Sequence, residues 1–381
     1  MCSSISNELD MFFEILNSDD LCVDAPTTAA FSTARRKMKH GAFIEQSKTL
    51  TGSFYESCDY KKWGNLRVVG VDGSLIRLPS SFATEVYFGK NQQEGSKPYV
   101  MGRIMSFYDV LNSFTIEAEL APNKIDERSL ALKYLPNFGE GDLLLYDRNF
   151  YSYTLFQQHI INNAKFCMRL PVSSNMVKRF IDSEKYEETV IYEADKKHKL
   201  ECEKYDLPTD PVKLRLIRVN LPDGEVEVLI TNLLDAEKFP VDCFKALYRL
   251  RWSIEEGYKT LKVKAQLANW TGKTVETCKQ DFYAKIFTLN MTALIIFDVD
   301  RDVQNINEQR KLNYKICWSE AIRKMRRRIV RLLYADNIFK VIKYIKTKLT
   351  KSLSEIKPNR KFERKKYTRR GKHHMNCKCI S

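Results

Sequence analysis

The chain has 381 residues, 63 Lys and Arg against 48 Asp and Glu, and a formal charge of +15. That balance suits an anionic partner, nucleic acid or an acidic membrane surface, and does not by itself choose between them. Hydrophobic residues at 44% exclude a tail-dominated disordered protein, and at roughly 100 to 200 residues per domain the length accommodates two or three domains. The ten cysteines are scattered without a Cys-x-x-Cys pair, the usage of reduced thiols.

Residues 1–60 read as helical. Ser32-Thr33 can cap a helix that begins at Ala34. Arg35, Arg36, Lys37 and Lys39 would then stand in the first turn, where cations oppose the helix dipole. A phosphate partner would account for them, an ordinary solvated face being the other reading. Met1 to Asp20 carries acids and no basic leader, so a signal peptide is not expected.

From Leu66 the pattern shortens to strands. The run Val68-Val69-Gly70-Val71-Asp72-Gly73-Ser74 stops at an acid, with residues 74–78 able to continue the strand beyond it. Residues 102–111 and 114–120 form an expected hairpin turning at Asn112-Ser113. A helix near 126–135, a strand at 142–147, a helix near 152–163 and a strand at 165–170 follow. The first of these strands, Leu143-Leu144-Leu145-Tyr146-Asp147, again stops at an acid.

Between Pro171 and Pro240 the periodicity is strand-like, at 188–192, 213–219 and 225–231, and suggests an inserted β-rich module. A helix from Asp242 onward carries Glu255, and the chain is then mostly helical to about 349. Its longest apolar stretch, 287–297, is interrupted by Thr288, Asn290 and Thr292, short of the roughly 20 residues that span a bilayer. A cytoplasmic protein with no membrane partner is expected. Arg323, Lys324, Arg326, Arg327, Arg328 and Arg331 form a basic cluster, and ten cations between Lys357 and Ser381 face Glu363 alone. Such a tail reads as a disordered DNA-binding arm or a solubilising extension. His373, His374, Cys377 and Cys379 crowd within it and could bind a soft metal, although zinc sites normally space their ligand pairs more widely.

Two acids at the ends of buried strands can project into a crevice while their apolar predecessors anchor them. Each has an ordinary reading as well, since Asp-Gly is a turn signal and Asp147 can cap the next helix. On a continuous helix Tyr248, Arg251, Glu255 and Lys262 fall within an arc of roughly 60°, with Lys259 beside them. Exposed i,i+4 pairs would explain only part of that face. Three carboxylates, Asp72, Asp147 and Glu255, can hold two Mg2+ ions about 4 Å apart for phosphoryl transfer. The five histidines are too scattered for a three-histidine zinc site or a histidine base.

The spacing Tyr248-x2-Arg251-x3-Glu255-x6-Lys262, with Asp72-Gly73-Ser74, Asp147-Arg148-Asn149-Phe150, Leu229-Ile230-Thr231-Asn232-Leu233 and Phe31-Ser32-Thr33-Ala34-Arg35-Arg36-Lys37-Met38, resembles bacterial transposases of the insertion-sequence-four group over about 27–300. The resemblance implies an α/β fold: an RNase H-like core with a β-strand-rich insertion, flanked by helical N- and C-terminal regions. The expected division is a DNA-end-binding region at 1–60, a catalytic domain at 61–345 with its insertion at about 171–240, and a basic tail at 346–381.

By the same resemblance the chain would be a Mg2+-dependent DDE transposase, with Mn2+ able to substitute. It would hydrolyse the 3′ end, form and open a hairpin, and transfer the strand to target DNA. Asp72, Asp147 and Glu255 would hold the metal; Tyr248, Arg251 and Lys262, with Lys259, would hold phosphates; Arg35, Arg36 and Lys37 would read the element ends. The implied partners are double-stranded DNA, as terminal inverted repeats and target, and a second copy of the chain in the synaptic complex, at the nucleoid. Tyr192 and Tyr205 are available to stack a flipped base. An RNase H-like nuclease or resolvase would have the acids without a reason for the Tyr-Arg-Lys spacing, and a silent domesticated DNA-binding protein would be expected to have lost an acid.

Overall fold

A computed structural model describes residues 4–17, 24–92, 98–221, 224–310, 312–326, 328–356 and 376–377. The expected basic arm therefore lies outside the described residues, save Asn376–Cys377. The chain divides into two compact units, one of residues 1–58, 75–102 and 258–381, the other of residues 59–74 and 103–257.

In the first unit, helices α1 (Ile5–Leu16), α2 (Thr28–Lys37) and α3 (Gly41–Ser57) come first. The cap of α2 is Thr27, whose hydroxyl accepts the Ala30 amide at 3.2 Å, and not the expected Ser32-Thr33. Arg35, Arg36 and Lys37 thus occupy the last turn. The sign of the dipole effect is the reverse of the expectation, because cations at a helix C-terminus are stabilising.

Strand β1 (Arg67–Leu78) enters this unit from the second one, and α4 (Phe82–Phe88), β2 (Lys90–Asn91) and β3 (Tyr99–Asp109) follow, β2 pairing antiparallel with β3. The second unit continues with β4 (Phe114–Pro122), α5 (Glu127–Tyr134), β5 (Asp142–Tyr146), α6 (Tyr153–Ile161), β6 (Lys165–Arg169), α7 (Asn175–Asp182), β7 (Glu187–Tyr192), α8 (Lys196–Glu203), β8 (Val212–Asn220), β9 (Val226–Thr231), α9 (Val241–Arg249) and α10 (Trp252–Lys259). Back in the first unit are β10 (Asn269–Trp270), α11 (Val275–Glu308), β11 (Tyr314–Ile316), α12 (Trp318–Arg326), α13 (Ile329–Tyr334), α14 (Ile338–Thr350), β12 (Leu353–Glu355) and β13 (Asn376–Cys377).

Helix α11 organises the first unit. It packs on α3, α12 and α14, and Val299 and Val303 join Met325, Ile345 and Leu349 in one buried cluster. It is the one helix among the described residues long and apolar enough to cross a membrane, longer than the stretch judged from sequence, and over half of its apolar window is buried as core. The basic cluster is partly used internally: Arg326 pairs with Glu8, Arg323 with Glu320, and Arg328 lies over the Tyr344 ring.

The second unit is a mixed, mostly antiparallel sheet. From β4 the order runs β3-β1-β5-β6-β9-β8-β7. Strands β1, β5 and β6 are parallel, and β6, β9, β8 and β7 alternate in direction. The β1–β5 register opens with an ion pair between its first partners, Arg67 Nε and Asp142 Oδ1 at 2.7 Å. β5 is buried on every residue, as a parallel strand covered on both faces should be. The expected hairpin turns where predicted, with Ser113 at φ 66° and the Asp109 carboxylate accepting the amides of Leu111 and Asn112.

Two short helices, α7 and α8, accompany the strands of the stretch expected to be β-rich; Val177 and Phe180 bury one face of α7, and Asp195 caps α8 at 2.8 Å. Strands β7, β8 and β9 continue the same sheet, because β9 pairs directly with β6.

Candidate active site

Alternation along the strands decides where the acids point. On β1, Val69 and Val71 join the core on the α5–α6 face, while Val68 joins the cluster with Phe244, Leu247 and Tyr248 of α9. On β5, Leu144 and Tyr146 take the first face, and Leu143 and Leu145 the second. Asp72 and Asp147 keep the parity of Val68 and Leu145, so both belong to the α9 face. Each stands two residues beyond Gly70↔Leu145, the last register pair of the two strands.

The strands end differently. β5 stops at Tyr146, and Asp147 caps a 3-10 turn over Arg148–Phe150, its Oδ1 accepting the Asn149 amide at 2.8 Å. The capping role and an outward carboxylate coexist, since the second oxygen is left over. β1 does not stop at Asp72 but runs on to Leu78, so this acid lies inside a strand and its Oδ1 accepts the Gly73 amide at 2.9 Å.

The helix expected to carry four signature residues on one face is three segments. α9 ends at Arg249, tight i→i−3 bonds from Leu250, Arg251, Ser253 and Ile254 form the junction, α10 covers Trp252–Lys259, and a π-helical turn spans Thr260–Lys264. Tight and wide turns change the rotation per residue in opposite senses, so the arc drawn on a continuous helix does not apply. α10 is seated by glycines. A Cβ on Gly70 would stand 3.2 Å from the Ile254 Cβ, and one on Gly257 would stand 3.2 Å from the Tyr108 ring. Both positions are kept bare so that helix and strand can touch.

Asp72, Asp147, Tyr248, Arg251 and Glu255 all belong to the second unit. Burial first, and then the neighbouring Asp147 charge, raise the Asp72 carboxyl from 3.8 to about 7, against the Gly73 amide and Arg251, which lower it; Glu127 adds a smaller upward push. Two carboxylates so placed form an oxygen donor set that suits a hard divalent cation. Glu255 stands apart, half exposed, with Arg251 Nη2 at 3.5 Å from its Oε1. Among the described residues no three His, Cys, Asp or Glu side chains are gathered closely enough to hold an ion.

Tyr248 is buried, and its hydroxyl donates to the Tyr146 carbonyl at 3.1 Å, bracing the end of β5 immediately before Asp147. Arg251 lies 5.2 Å from the Trp252 ring centroid and has a buried Nε without a hydrogen-bond partner. Lys259 and Lys262 belong to the other unit, where Lys259 is exposed and Lys262 Nζ donates to the Leu75 carbonyl at 2.7 Å. Tyr192 is tied by its hydroxyl to that of Tyr151 at 2.6 Å, whereas Tyr205 is exposed and bonds Ser129 Oγ at 3.0 Å.

Of the N-terminal cations, Arg36 and Lys37 are exposed and Arg35 is not. Its guanidinium holds Asp281 at 2.9 Å, Gln280 at 2.6 Å, the Thr277 carbonyl at 3.0 Å and Thr271, within the first unit. Arg35 is thus engaged within the fold, unlike the exposed Arg36 and Lys37 beside which it was expected to read the element ends. Arg35→Ala should cost about 2 kcal/mol of stability, the scale of buried hydrogen bonds to a charged group. Arg36→Ala with Lys37→Ala should leave the melting temperature unchanged and weaken duplex DNA binding. Thermal melts and a binding titration on the same variants check both.

Sequence reasoning missed Glu127 and Arg103, which pair with one another on the far side of β1. The capping acid Asp126 marked the start of α5, but nothing local connects Glu127 with Asp72.

A family model described as Transposase DDE domain matches residues 63–291, a span that contains Asp72, Asp147 and Glu255. The chain is 23% identical over 272 residues to the transposase InsG for insertion sequence element IS4 of Escherichia coli (strain K12), which covers 69% of this chain and 60% of that protein. It therefore spans less than two thirds of the length of that relative. Among solved structures, the cryo-EM structure of a piggyBac transposase synaptic complex with hairpin DNA is similar at a TM-score of 0.41 and 10% identity, over 73% of this chain and 56% of that one. With more than half of its length matched to the family model, the chain belongs to the transposase DDE-domain family.

Proposed function

We propose that this chain is a DNA transposase that cuts and joins the ends of an insertion sequence by two-metal-ion phosphoryl transfer. The observation that carries the reading is the pair Asp72 and Asp147, at the same step of two adjacent parallel strands and on one face of the sheet. Asp72, Asp147 and Glu255 would hold Mg2+, for which Mn2+ can substitute. When bound, the metal lowers the pKa of an attacking water or 3′ hydroxyl and stabilises the leaving oxygen.

The chain's own residues would prepare that chemistry. Tyr248 braces the carbonyl before Asp147; Arg251, with a spare buried donor, contacts Glu255 at 3.5 Å and offers a fork to a phosphate. The fold we infer is an RNase H-like core, formed by the β3–β4 hairpin and parallel β1, β5 and β6, with residues about 171–240 as a β-rich insertion before α9. Residues 1–60 would bind the element ends through Arg36 and Lys37, Lys259 and Lys262 of the same unit would contact DNA, and the basic tail expected at 346–381 would begin only after α14 and β12. The reaction runs from 3′-end hydrolysis through hairpin formation and opening to strand transfer, in a homodimer on double-stranded DNA at the nucleoid.

The test uses supercoiled DNA bearing the inverted repeats that flank the reading frame, incubated with the full chain and Mg2+. Breaks at the repeat ends, carrying hairpins on a denaturing gel, are expected. Cutting without hairpins or without regard to the repeats would mark a nuclease, and binding without cutting would mark a silent DNA-binding protein.

A further inference from the structure

Gly73 sits inside β1, where no turn and no left-handed backbone asks for glycine. The reason it is bare is Glu127: a Cβ on Gly73 would run into the Glu127 carboxylate. Parity along β1 puts Gly73 on the α5 face, opposite to Asp72. Glu127 opens α5 behind the cap Asp126, whose Oδ1 accepts the amides of Arg128 and Ser129 at 3.0 Å, so its position does not depend on β1.

Arg103 of β3 binds the Glu127 carboxylate, and the two side chains are only 19% and 22% exposed. A surface ion pair would need no such enclosure. The Glu127 charge also reaches Asp72, next to that of Asp147.

We propose that Glu127, anchored by Arg103 and lying against Gly73, is a positioning residue that fixes the Asp72–Gly73 backbone and adds standing negative charge behind the carboxylate pair. The inference rests on the reading of Asp72 and Asp147 as metal ligands. Groups placed behind metal ligands commonly change metal affinity by about 10- to 100-fold when altered. Glu127 would do so through a peptide unit, where most such groups act through a side-chain hydrogen bond.

The experiment measures Mn2+ binding to the full, DNA-free chain by the electron paramagnetic resonance of the free ion, alongside the melting temperature without metal. Glu127→Gln keeps the shape and removes the charge; Gly73→Ala keeps every charge and displaces the Glu127 carboxylate from the backbone of β1. Both should weaken Mn2+ binding by roughly tenfold, a loss separate from the fall in metal-free melting temperature that disturbing the Arg103 pair brings. Asp72→Asn is the reference. If it weakens Mn2+ binding while Glu127→Gln and Gly73→Ala do not, or if those two lower only the melting temperature, Glu127 is structural and the inference falls alone. If Asp72→Asn leaves Mn2+ binding intact, the metal reading falls and takes the inference with it.

Discussion

Asp147→Asn should reduce cleavage at element ends by on the order of a thousandfold, the scale for losing a group that stabilises charge developing in the transition state. The substitution is chosen because Asp147 caps a turn and, in the proposed site, would also hold the metal. Its Oδ1 accepts the Asn149 amide, and an asparagine oxygen still can, so the turn survives and a cap loss of about 1 kcal/mol is avoided. Duplex binding should stay within about twofold, because the phosphate contacts that dominate affinity lie elsewhere. Asp72→Asn and Glu255→Gln should behave alike. Full cleavage by the Asp147 variant, measured on the same DNA with Mg2+, would remove Asp147 from the site.

Metal-free protein should become less stable relative to Asp72→Asn as the pH rises from about 4 to about 7. With the Asp72 carboxyl raised from 3.8 to about 7, the folded chain keeps a proton that the unfolded chain has already released throughout that window. Folding is therefore penalised progressively as pH rises, and the whole penalty is present above the folded value. At about 1.4 kcal/mol per pH unit it reaches on the order of 4 kcal/mol at most, before screening at this partly exposed group. The two proteins should melt together near about pH 4, and the variant should melt several degrees higher near about pH 8. Mg2+ should reverse the order at the higher pH, since it binds the ionised form and only the wild type has both strand carboxylates. An equal gap at both pH values would show that Asp72 is not the group that titrates.

Much of this site was legible because strands announce themselves by composition. Leu143 to Tyr146 are apolar enough to mark a buried strand that stops before Asp147; β1 shows the same apolar run before Asp72 but continues past it, and Asp72 stays largely buried. The Tyr-Arg-Glu-Lys spacing was also visible, but not its geometry. A helical wheel assumes one rotation per residue, and neither the i→i−3 bonds at Leu250 to Ile254 nor the π turn at Thr260 leaves a mark in composition. Capping chemistry was ambiguous in the same way: Thr27, Ser32 and Thr33 can all start a helix, and the choice of Thr27 moved Arg35 from the first turn to the last. The partners of Arg35 are about 240 residues away. Glu127 was hidden because a carboxylate in the first turn of a helix already has a sufficient local reason to be there.

The bare contacts beneath α10 bear on how quickly the site can change state. With Ile254 close to Gly70 and Gly257 close to Tyr108, the helix is seated tightly, which opposes bringing Glu255 to the two strand acids by a backbone shift. What remains is its own side chain, half exposed and held by one long contact to Arg251. Rotamer changes of exposed side chains take picoseconds to nanoseconds, whereas helix shifts take microseconds or longer. If Glu255 is the third carboxylate of the proposed site, its recruitment would be a swing about single bonds and not a shift of the helix.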